Sequence, residues 1–273
     1  MSTLVMGILN VTPDSFSDGG RWDTVDAAIA RGLELRDQGA SIVDVGGEST
    51  RPGAARIEPA EEQERVVPVI RALAAEGVTL SIDTMHASTA RAAVEAGAAI
   101  VNDVSGGLAD PDMAKTAADL ACDFIAMHWR AHSAEMDKAD RYEDVVAEVG
   151  RELEARVDAL VGAGVASDRI VLDPGLGFAK VTDSNWPLIA RWREWAGDHR
   201  VLIGASRKRF LGAAIASGGG DGADPSNREA ATTAVTTVCA LEGVWAVRVH
   251  DAAASRDAIS VVSRLTTAGY KAR

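Results

Sequence analysis

Polar side chains stand at the ends of a series of short apolar runs in this sequence. Asn10, Asp83 and Asn102 each follow one run directly, as do Asp173 and His250 further along the chain. Burying such groups without partners is costly in free energy, so their repetition at run ends indicates that a ligand supplies the partners. The sequence therefore predicts one polar ligand site to which several runs contribute.

Three of these groups offer hydrogen-bond acceptors: the carboxylates of Asp83 and Asp173 and the amide of Asn102. Together they suit a ligand with adjacent N–H donors, such as the guanidine-like edge of a heterocycle. A structural alternative stays open for each residue, because one or two of these side chains can instead accept from backbone amides of the fold.

A second set of residues is basic, although the chain as a whole is acidic. Its members are Lys208, Arg248, Arg51, Arg207, Arg209 and His250. Lys208 lies near the predicted start of a helix, where the macrodipole also favours anions. The set predicts an anionic group on the ligand, and the alternative is a solvated basic helix end. Asn10 beside a phosphate also suits Mg²⁺, which takes oxygen ligands and keeps its waters.

Other common chemistries lack their signatures in this sequence. It has neither the G-x-S-x-G elbow of serine hydrolases nor the H-E-x-x-H spacing of zinc proteases. Its two cysteines, Cys122 and Cys239, stand in apolar surroundings. We therefore expect buried structural thiols rather than a disulfide or a metal site.

The elements that must position these groups are eight short apolar runs separated by helical patterns. The runs are apolar on successive residues, which is typical of parallel strands covered by helices. The segment between the second and third runs shows the helical pattern, with Pro59 at its start, Val66, Ile70 and Leu73 on one face, and Gly77 at its end. The runs occupy residues 4–9, 42–45, 78–82, 99–101, 124–127, 170–172, 201–203 and 244–249.

Local signals also predict where some helices begin. Asp110 before Pro111 and Asp224 before Pro225 each pair a residue that caps helices with a proline suited to the first helical turn. Residues 217–227 contain a glycine-rich core, and we expect this segment to be too flexible to pack.

Eight strand-then-helix units in a row predict an α/β fold, a (β/α)8 TIM barrel with eight parallel strands. We expect a single domain over residues 1–273. An open doubly wound sheet remains the alternative. In a barrel the active site lies at the carboxyl ends of the strands, which is where the polar residues stand.

Composition excludes several classes of protein. The chain of 273 residues carries 28 Lys and Arg against 40 Asp and Glu, a formal net charge of −12, which excludes a polybasic binder of nucleic acid or membrane surfaces. Apolar residues make up 47% of the chain, which excludes intrinsic disorder. No apolar run approaches the roughly 18 residues of a membrane span. We therefore expect a soluble, cytoplasmic protein with no nucleic-acid or membrane partner.

Seven stretches around the run ends form recognisable motifs: residues 6–20, 44–53, 81–84, 101–107, 173–180, 206–210 and 248–251. In these stretches the chain resembles the dihydropteroate synthase family of pterin-binding enzymes, with the motifs in the family's order. The resemblance extends over residues 4–262. Any one block is moderately specific, whereas all seven in order are very hard to obtain otherwise.

The resemblance implies a barrel enzyme that joins 6-hydroxymethyl-7,8-dihydropterin diphosphate to para-aminobenzoate. The products would be 7,8-dihydropteroate and diphosphate, in folate biosynthesis. It further implies Mg²⁺ as the cofactor, small molecules as the substrates, a homodimer as the assembly, and sulfonamides, which mimic para-aminobenzoate, as inhibitors.

The resemblance also implies roles for individual residues. The pterin would be bound by Asp83, Asn102, Met127, Asp173, Gly204 and Lys208. The diphosphate would be bound by Asn10, Arg248 and His250, with Asn10 also the metal ligand. The aminobenzoate would be surrounded by Phe16, Thr50, Arg51, Pro52, Phe178 and Arg209. The catalytic residues would be Asp18, Arg51, Lys208, Arg248 and His250.

The implied mechanism begins with departure of the diphosphate, after which the aromatic amine attacks the methylene cation. This amine is neutral at pH 7 and needs no strong general base, which agrees with the missing catalytic triad. Two alternatives stay open. Methyltetrahydrofolate-dependent methyltransferases are similar barrels but have no diphosphate to hold, and a non-enzymatic pterin-binding paralogue would be a binding module.

Overall fold

Eight parallel strands close into a barrel in which each strand pairs with its neighbours in sequence and β8 pairs with β1. The structure, a computed structural model, describes residues 2–12, 21–48, 56–130, 140–180 and 182–270. The predicted TIM barrel is therefore confirmed, and the open sheet is not found. The strands are β1 (Leu4–Asn10), β2 (Ile42–Gly46), β3 (Leu80–Asp83), β4 (Ile100–Asp103), β5 (Asp123–Met127), β6 (Ile170–Asp173), β7 (Arg200–Ile203) and β8 (Ala246–Val249).

Two of the predicted strands begin two residues later than the apolar runs suggest. β3 starts at Leu80 and β8 at Ala246, two residues inside the runs that open with Val78 and Val244. The amide of Val78 donates to the carbonyl of Leu73 and that of Val244 to Cys239, so both valines close the preceding helix instead. The two apolar runs therefore each begin with a residue that belongs to the end of the preceding helix rather than to the strand.

Helices cover the outside of the barrel. Within the described residues each strand is followed by one α-helix, except that β6 and β7 are each followed by two. The described residues form α1 (Arg21–Asp37), α2 (Pro59–Ala75), α3 (Ala87–Glu95), α4 (Met113–Leu120), α5 (Val145–Gly162), α6 (Asn185–Ala190), α7 (Trp192–Ala196), α8 (Arg209–Ser217), α9 (Glu229–Leu241) and α10 (Ala252–Thr267). None of the helices in the described part of the chain is long and apolar enough to cross a membrane.

The predicted helix starts are partly correct. Pro59 is the first residue of α2, and Asp224 caps a 3-10 helix by accepting from the amide of Ser226 at 2.8 Å. The prediction for Asp110 is wrong, because α4 begins at Met113. The Asp110 carboxylate instead accepts from the amide of Ala87, at the start of α3, at 2.8 Å.

The hydrophobic core has an outer and an inner part. The outer part lies between the strands and the helices, and it includes both cysteines as buried free thiols, as expected. The inner part fills the lower barrel with seven buried apolar side chains. These are Met6, Ile42, Ile100, Ile125, Val171, Leu202 and Ala246. The polar residues of the candidate site lie above this inner core, nearer the carboxyl ends of the strands.

Candidate active site at the carboxyl ends of the strands

Strand register brings the predicted acceptors to one rim of the barrel. Asp83 on β3 is aligned with Gly46 on β2 and with Asn102 on β4. Asp173 on β6 is aligned with Met127 on β5. Asp83, Asn102 and Asp173 are all buried, with at most 7% of their surface exposed. The three acceptors therefore occupy the same level of the barrel, as predicted.

Arg248 on β8 links two carboxylates across the barrel interior. Its Nε donates to Oδ2 of Asp44 at 2.6 Å, and its Nη2 donates to Oδ2 of Asp83 at 2.8 Å. The amide nitrogen of Asn102 donates to the same oxygen of Asp44 at 3.0 Å. These bonds join four strands, β2, β3, β4 and β8, into one charge-assisted network. Arg248 therefore belongs to the acceptor cluster as well as to the predicted basic set.

Burial changes the ionisation of these acids. It raises the pKa of Asp83 to about 7, with Arg248 opposing the rise and Asp44 adding to it. Burial likewise raises the pKa of Asp173, against the opposing charge of Lys208. Such shifts mark groups whose charged form is poorly solvated by the protein alone. Donors on a ligand would stabilise that charged form.

Asp173 lies opposite this network, next to the lysine predicted to share its site. Its Oδ1 accepts from the amide of Gly175 at 2.7 Å. A Cβ placed on Gly204, just after β7, would come within 3.6 Å of Oδ2 of Asp173, so glycine at this position leaves the space beside the carboxylate open. Met127, the last residue of β5, is buried beside Gly175, in the turn that follows β6.

Lys208 stands immediately before α8 and reaches over the turn that follows β6. Its ammonium donates to the carbonyl of Leu176 and lies 4.2 Å from the centre of the Phe178 ring. Desolvation of this ammonium lowers the pKa of Lys208 to about 8, while Asp173 opposes the shift. A cation–π contact and a nearby carboxylate together hold the lysine at the barrel mouth. Phe178 is thus placed beside the predicted pterin residues.

His250 follows β8 and is fixed by Ser206. The backbone amide of His250 donates to Oγ of Ser206 at 3.2 Å, and Oγ lies 2.9 Å from Nδ1 of the imidazole. Because Oγ accepts from the amide, its own proton can be donated to Nδ1. In the tautomer in which Nδ1 accepts from Ser206, Nε2 carries the ring proton and can donate to an anion.

Two further members of the predicted basic set, Arg207 and Arg209, flank Lys208 in the sequence. Arg207 pairs with Glu229 of α9. Arg209 is exposed at the first position of α8. Asn10, the predicted metal ligand, is the half-buried last residue of β1. Of the described residues, Asp, Glu, His and Cys form no group of three suited to a metal. Asn10 thus offers one amide oxygen, which suits Mg²⁺ only if water and substrate oxygens complete its coordination.

Several predicted residues lie outside the described part of the chain. They are Phe16, Asp18, Thr50, Arg51 and Pro52. The predicted aminobenzoate site is therefore represented here by Phe178 and Arg209, and the roles of the other residues stay predictions.

A buried chain of polar groups supports the turn after β6, and it was not among the predicted site residues. Lys180 donates to the carbonyls of Gly175 and Phe178 at 3.2 and 3.0 Å, and its Nζ lies 2.9 Å from Nδ1 of His128. Nε2 of His128 lies 2.8 Å from a carboxylate oxygen of Glu152 on α5. Its sequence signals are the lysine at the end of the 173–180 motif and His128, which directly follows the apolar run 124–127.

Ionisation in this chain of groups follows from burial. Burial lowers the pKa of Lys180 to about 7, against the opposing charge of Asp173. Burial, helped by Lys180, lowers the pKa of His128 to about 4. His128 is thus neutral at pH 7 and accepts from Lys180, so its proton is on Nε2 and points to Glu152. The turn that carries Asp173 and Phe178 is anchored to α5 in this way.

A closed barrel with buried acceptors, an arginine, a lysine and a histidine at its mouth defines an enzyme site for a small polar ligand with an anionic group. The family model of pterin binding enzymes matches residues 6–250, and this chain belongs to that family.

Individual relatives and solved structures in this family are similar to the chain over almost its whole length. The chain is 52% identical over 267 residues to dihydropteroate synthase from Mycobacterium leprae, covering 97% of this chain and 94% of the relative. It superposes with a TM-score of 0.89 on Xanthomonas albilineans dihydropteroate synthase with 4-aminobenzoic acid, at 42% identity, over 97% of this chain and 93% of the other. A structure of the Xanthomonas enzyme with 7,8-dihydropteroate gives a TM-score of 0.85, at 40% identity, over 97% and 94% of the two chains.

Proposed function

We propose that this chain condenses 6-hydroxymethyl-7,8-dihydropterin diphosphate with para-aminobenzoate to give 7,8-dihydropteroate and diphosphate, a step of folate biosynthesis. Similar chains across their full length are dihydropteroate synthases, and one solved relative holds the product 7,8-dihydropteroate. The single observation in this structure that carries the proposal is the barrel mouth itself. It combines buried acceptors for a heterocycle with cationic groups for an anion.

The pterin is assigned to the acceptor side of the site. Asp83, Asn102 and Asp173 accept from the ring N–H and amino groups, and Lys208 donates to an acceptor on the ring. Met127 and Gly204 line the pocket. Because the two acids are buried and have raised pKa values, the N–H donors of the pterin stabilise their charged forms on binding.

The diphosphate is assigned to Arg248 and His250, with Asn10 on the adjacent strand β1. β1 and β8 are paired neighbours in the barrel, so the carboxyl end of β1 that carries Asn10 lies beside the end of β8 that leads to His250. Bound Mg²⁺, held through the Asn10 amide oxygen, would neutralise part of the diphosphate charge. Arg248 and His250 donate hydrogen bonds to the departing oxygens as negative charge develops there.

The bond changes balance without a strong base. The C–O bond to the diphosphate breaks with its electron pair leaving on oxygen, and the electron-rich pterin stabilises the methylene cation. The aminobenzoate nitrogen then forms the new C–N bond and loses a proton. An aromatic amine is already neutral at pH 7, so positioning carries most of the catalysis.

The aminobenzoate is assigned to the side of the mouth that carries Phe178 and Arg209. Phe16, Thr50, Arg51 and Pro52 complete this half-site in the proposal, and Asp18 and Arg51 help to organise the second step. Mg²⁺ as the cofactor, the homodimer and the cytoplasmic location stay predictions, as does sulfonamide binding.

Pure protein incubated with pterin diphosphate, Mg²⁺ and para-aminobenzoate tests the function. We expect dihydropteroate by mass spectrometry and one diphosphate released for each product formed. Omission of either organic substrate should abolish product. A methyltransferase would leave these substrates unchanged, and a binding module would bind the pterin without turnover; either result contradicts the proposal.

A further inference from the structure

Asp44 is a fully buried carboxylate in the middle of β2, and no substrate-binding role is assigned to it above. Its Oδ2 accepts two hydrogen bonds, from Nδ2 of Asn102 and from Nε of Arg248. Its Oδ1 has no hydrogen-bond partner among the described residues. A half-satisfied buried carboxylate destabilises a fold relative to an apolar side chain. We therefore expect Asp44 to contribute through the two side chains that it binds, Asn102 and Arg248.

The contact with Asp44 determines which end of the Asn102 side chain a ligand meets. A side-chain amide has a donor end and an acceptor end, whereas an ionised carboxylate only accepts. The NH₂ group of Asn102 must therefore point to Asp44. The carbonyl oxygen is the end left for a ligand, so Asn102 presents an acceptor that matches an N–H group.

The contact with Asp44 also fixes the guanidinium plane of Arg248. Asp44 engages Nε and Asp83 engages Nη2, so the side chain is bound at two of its nitrogens. A guanidinium has five N–H donors in a rigid fork, and fixing two of them sets the direction of the others. Without Asp44, Arg248 would keep one partner and could rotate about it.

We infer that Asp44 is a positioning residue of the pterin site: it orients Asn102 as an acceptor and holds Arg248 across the barrel. The inference rests on the proposed function, because it gives Asn102 and Arg248 their ligands. It predicts an effect confined to the pterin diphosphate side of the reaction. The aminobenzoate side has no contact with Asp44 in the described residues.

The test is Asp44→Asn, which keeps the shape of the side chain and removes its charge. Steady-state kinetics should show the KM for pterin diphosphate raised at least tenfold, with the KM for para-aminobenzoate changed less than twofold. Calorimetry with 6-hydroxymethylpterin should show a similar loss of affinity. The matched control is Ser81→Ala on β3, because Ser81 is equally buried, is aligned with Asp44 and has no hydrogen-bond partner for its hydroxyl in the described structure. It should leave both KM values unchanged.

A purely structural role for Asp44 would lower the urea midpoint and leave the KM for pterin diphosphate unchanged, and that result overturns the inference. If Asp44→Asn does not fold, Asn102→Asp is compared with the double variant Asp44→Asn/Asn102→Asp. The single variant sets two carboxylates against each other, and the double variant restores one donor and one acceptor. Recovery of pterin affinity in the double variant supports the inference, and additive losses overturn it. Failure of the wild-type protein to bind any pterin would instead overturn the proposed function.

Discussion

The substitution Asp83→Asn distinguishes the effect of a buried carboxylate on the free energy of unfolding from its contribution to pterin binding. Burial raises the pKa of Asp83 from 3.8 to about 7. The folded state therefore holds a proton that the unfolded state has lost between about pH 4 and pH 7. Unfolding releases this proton, so the contribution of Asp83 to the free energy of unfolding falls as pH rises through this window, and the full cost is present above pH 7. An asparagine at this position does not ionise, so its contribution to the free energy of unfolding does not change with pH.

The size of the effect follows from the shift. Each pH unit of the window corresponds to about 1.4 kcal/mol, and roughly two of its three units lie between pH 5 and pH 7. The stability of Asp83→Asn relative to the wild type should therefore rise by about 3 kcal/mol between pH 5 and pH 8. Pterin affinity should move the other way, falling about 10- to 100-fold at pH 8 with the loss of a charge-assisted hydrogen bond.

Urea denaturation at pH 5 and pH 8 measures the first quantity, and calorimetry with 6-hydroxymethylpterin measures the second. The control is Asp158→Asn, on the exposed side of α5, which should change neither. A stability difference that is the same at both pH values would show that Asp83 ionises at its ordinary pKa. The argument from burial would then be wrong, whatever the affinity.

Four further predictions concern the rest of the site. Asp173→Ala should weaken pterin binding about 10- to 100-fold in calorimetry while the circular dichroism spectrum is kept. Ser206→Ala should remove one contact that orients the imidazole of His250 and lower kcat/KM for pterin diphosphate about 3- to 10-fold, with the KM for para-aminobenzoate unchanged. Lys180→Met should reduce the rise in urea stability expected for the wild type between pH 7 and pH 10, because a base whose pKa is lowered to about 7 binds its proton more weakly in the folded state; Lys208, whose pKa is lowered to about 8, should supply the rest of the rise. Chelation of Mg²⁺ should abolish turnover, and Asn10→Ala should raise the Mg²⁺ concentration for half-maximal activity about tenfold.

Each of these predictions has a result that contradicts it. Unchanged pterin affinity in Asp173→Ala would remove that residue from the pterin site. An equal rise of both KM values in Ser206→Ala would indicate a general distortion of the barrel mouth. A pH slope as steep in Lys180→Met as in the wild type would assign the slope to groups other than Lys180, and full activity in EDTA would exclude the metal.

The strand ends were predictable because they depend on local chemistry. An apolar run that stops at a carboxylate or an amide marks both the end of a buried strand and the rim of the barrel, as at Asp83, Asn102 and Asp173. Val78 and Val244 show the limit of this signal, because an apolar side chain serves a helix end as well as a strand. Burial alone does not distinguish the two.

Contacts between distant segments were not predictable. Asp44 lies inside an apolar run, and its partners Asn102 and Arg248 are 58 and 204 residues away. The glycine-rich segment was expected not to pack, and the structure corrects this at one position, because Gly222 alone among residues 217–227 is buried. Buried Arg228 donates to the carbonyl of Gly222 at 2.8 Å, and a Cβ on Gly222 would lie 2.2 Å from the Gly212 carbonyl oxygen. Glycine is used there for close packing, which composition does not reveal.

The charge balance of the site explains why a diphosphate needs more than Arg248. Its guanidinium already faces two carboxylates, Asp44 and Asp83, and Lys208 faces Asp173. Two cationic groups facing three carboxylates carry a formal charge of −1, which suits the N–H donors of an uncharged pterin ring but leaves no net positive charge for a diphosphate. His250 and the amino end of α10 add a donor and a helix dipole. Mg²⁺, if held by Asn10 as proposed above, would supply positive charge for the diphosphate. Removal of Mg²⁺ should therefore weaken pterin diphosphate binding far more than binding of 6-hydroxymethylpterin, and calorimetry showing equal losses would contradict this account.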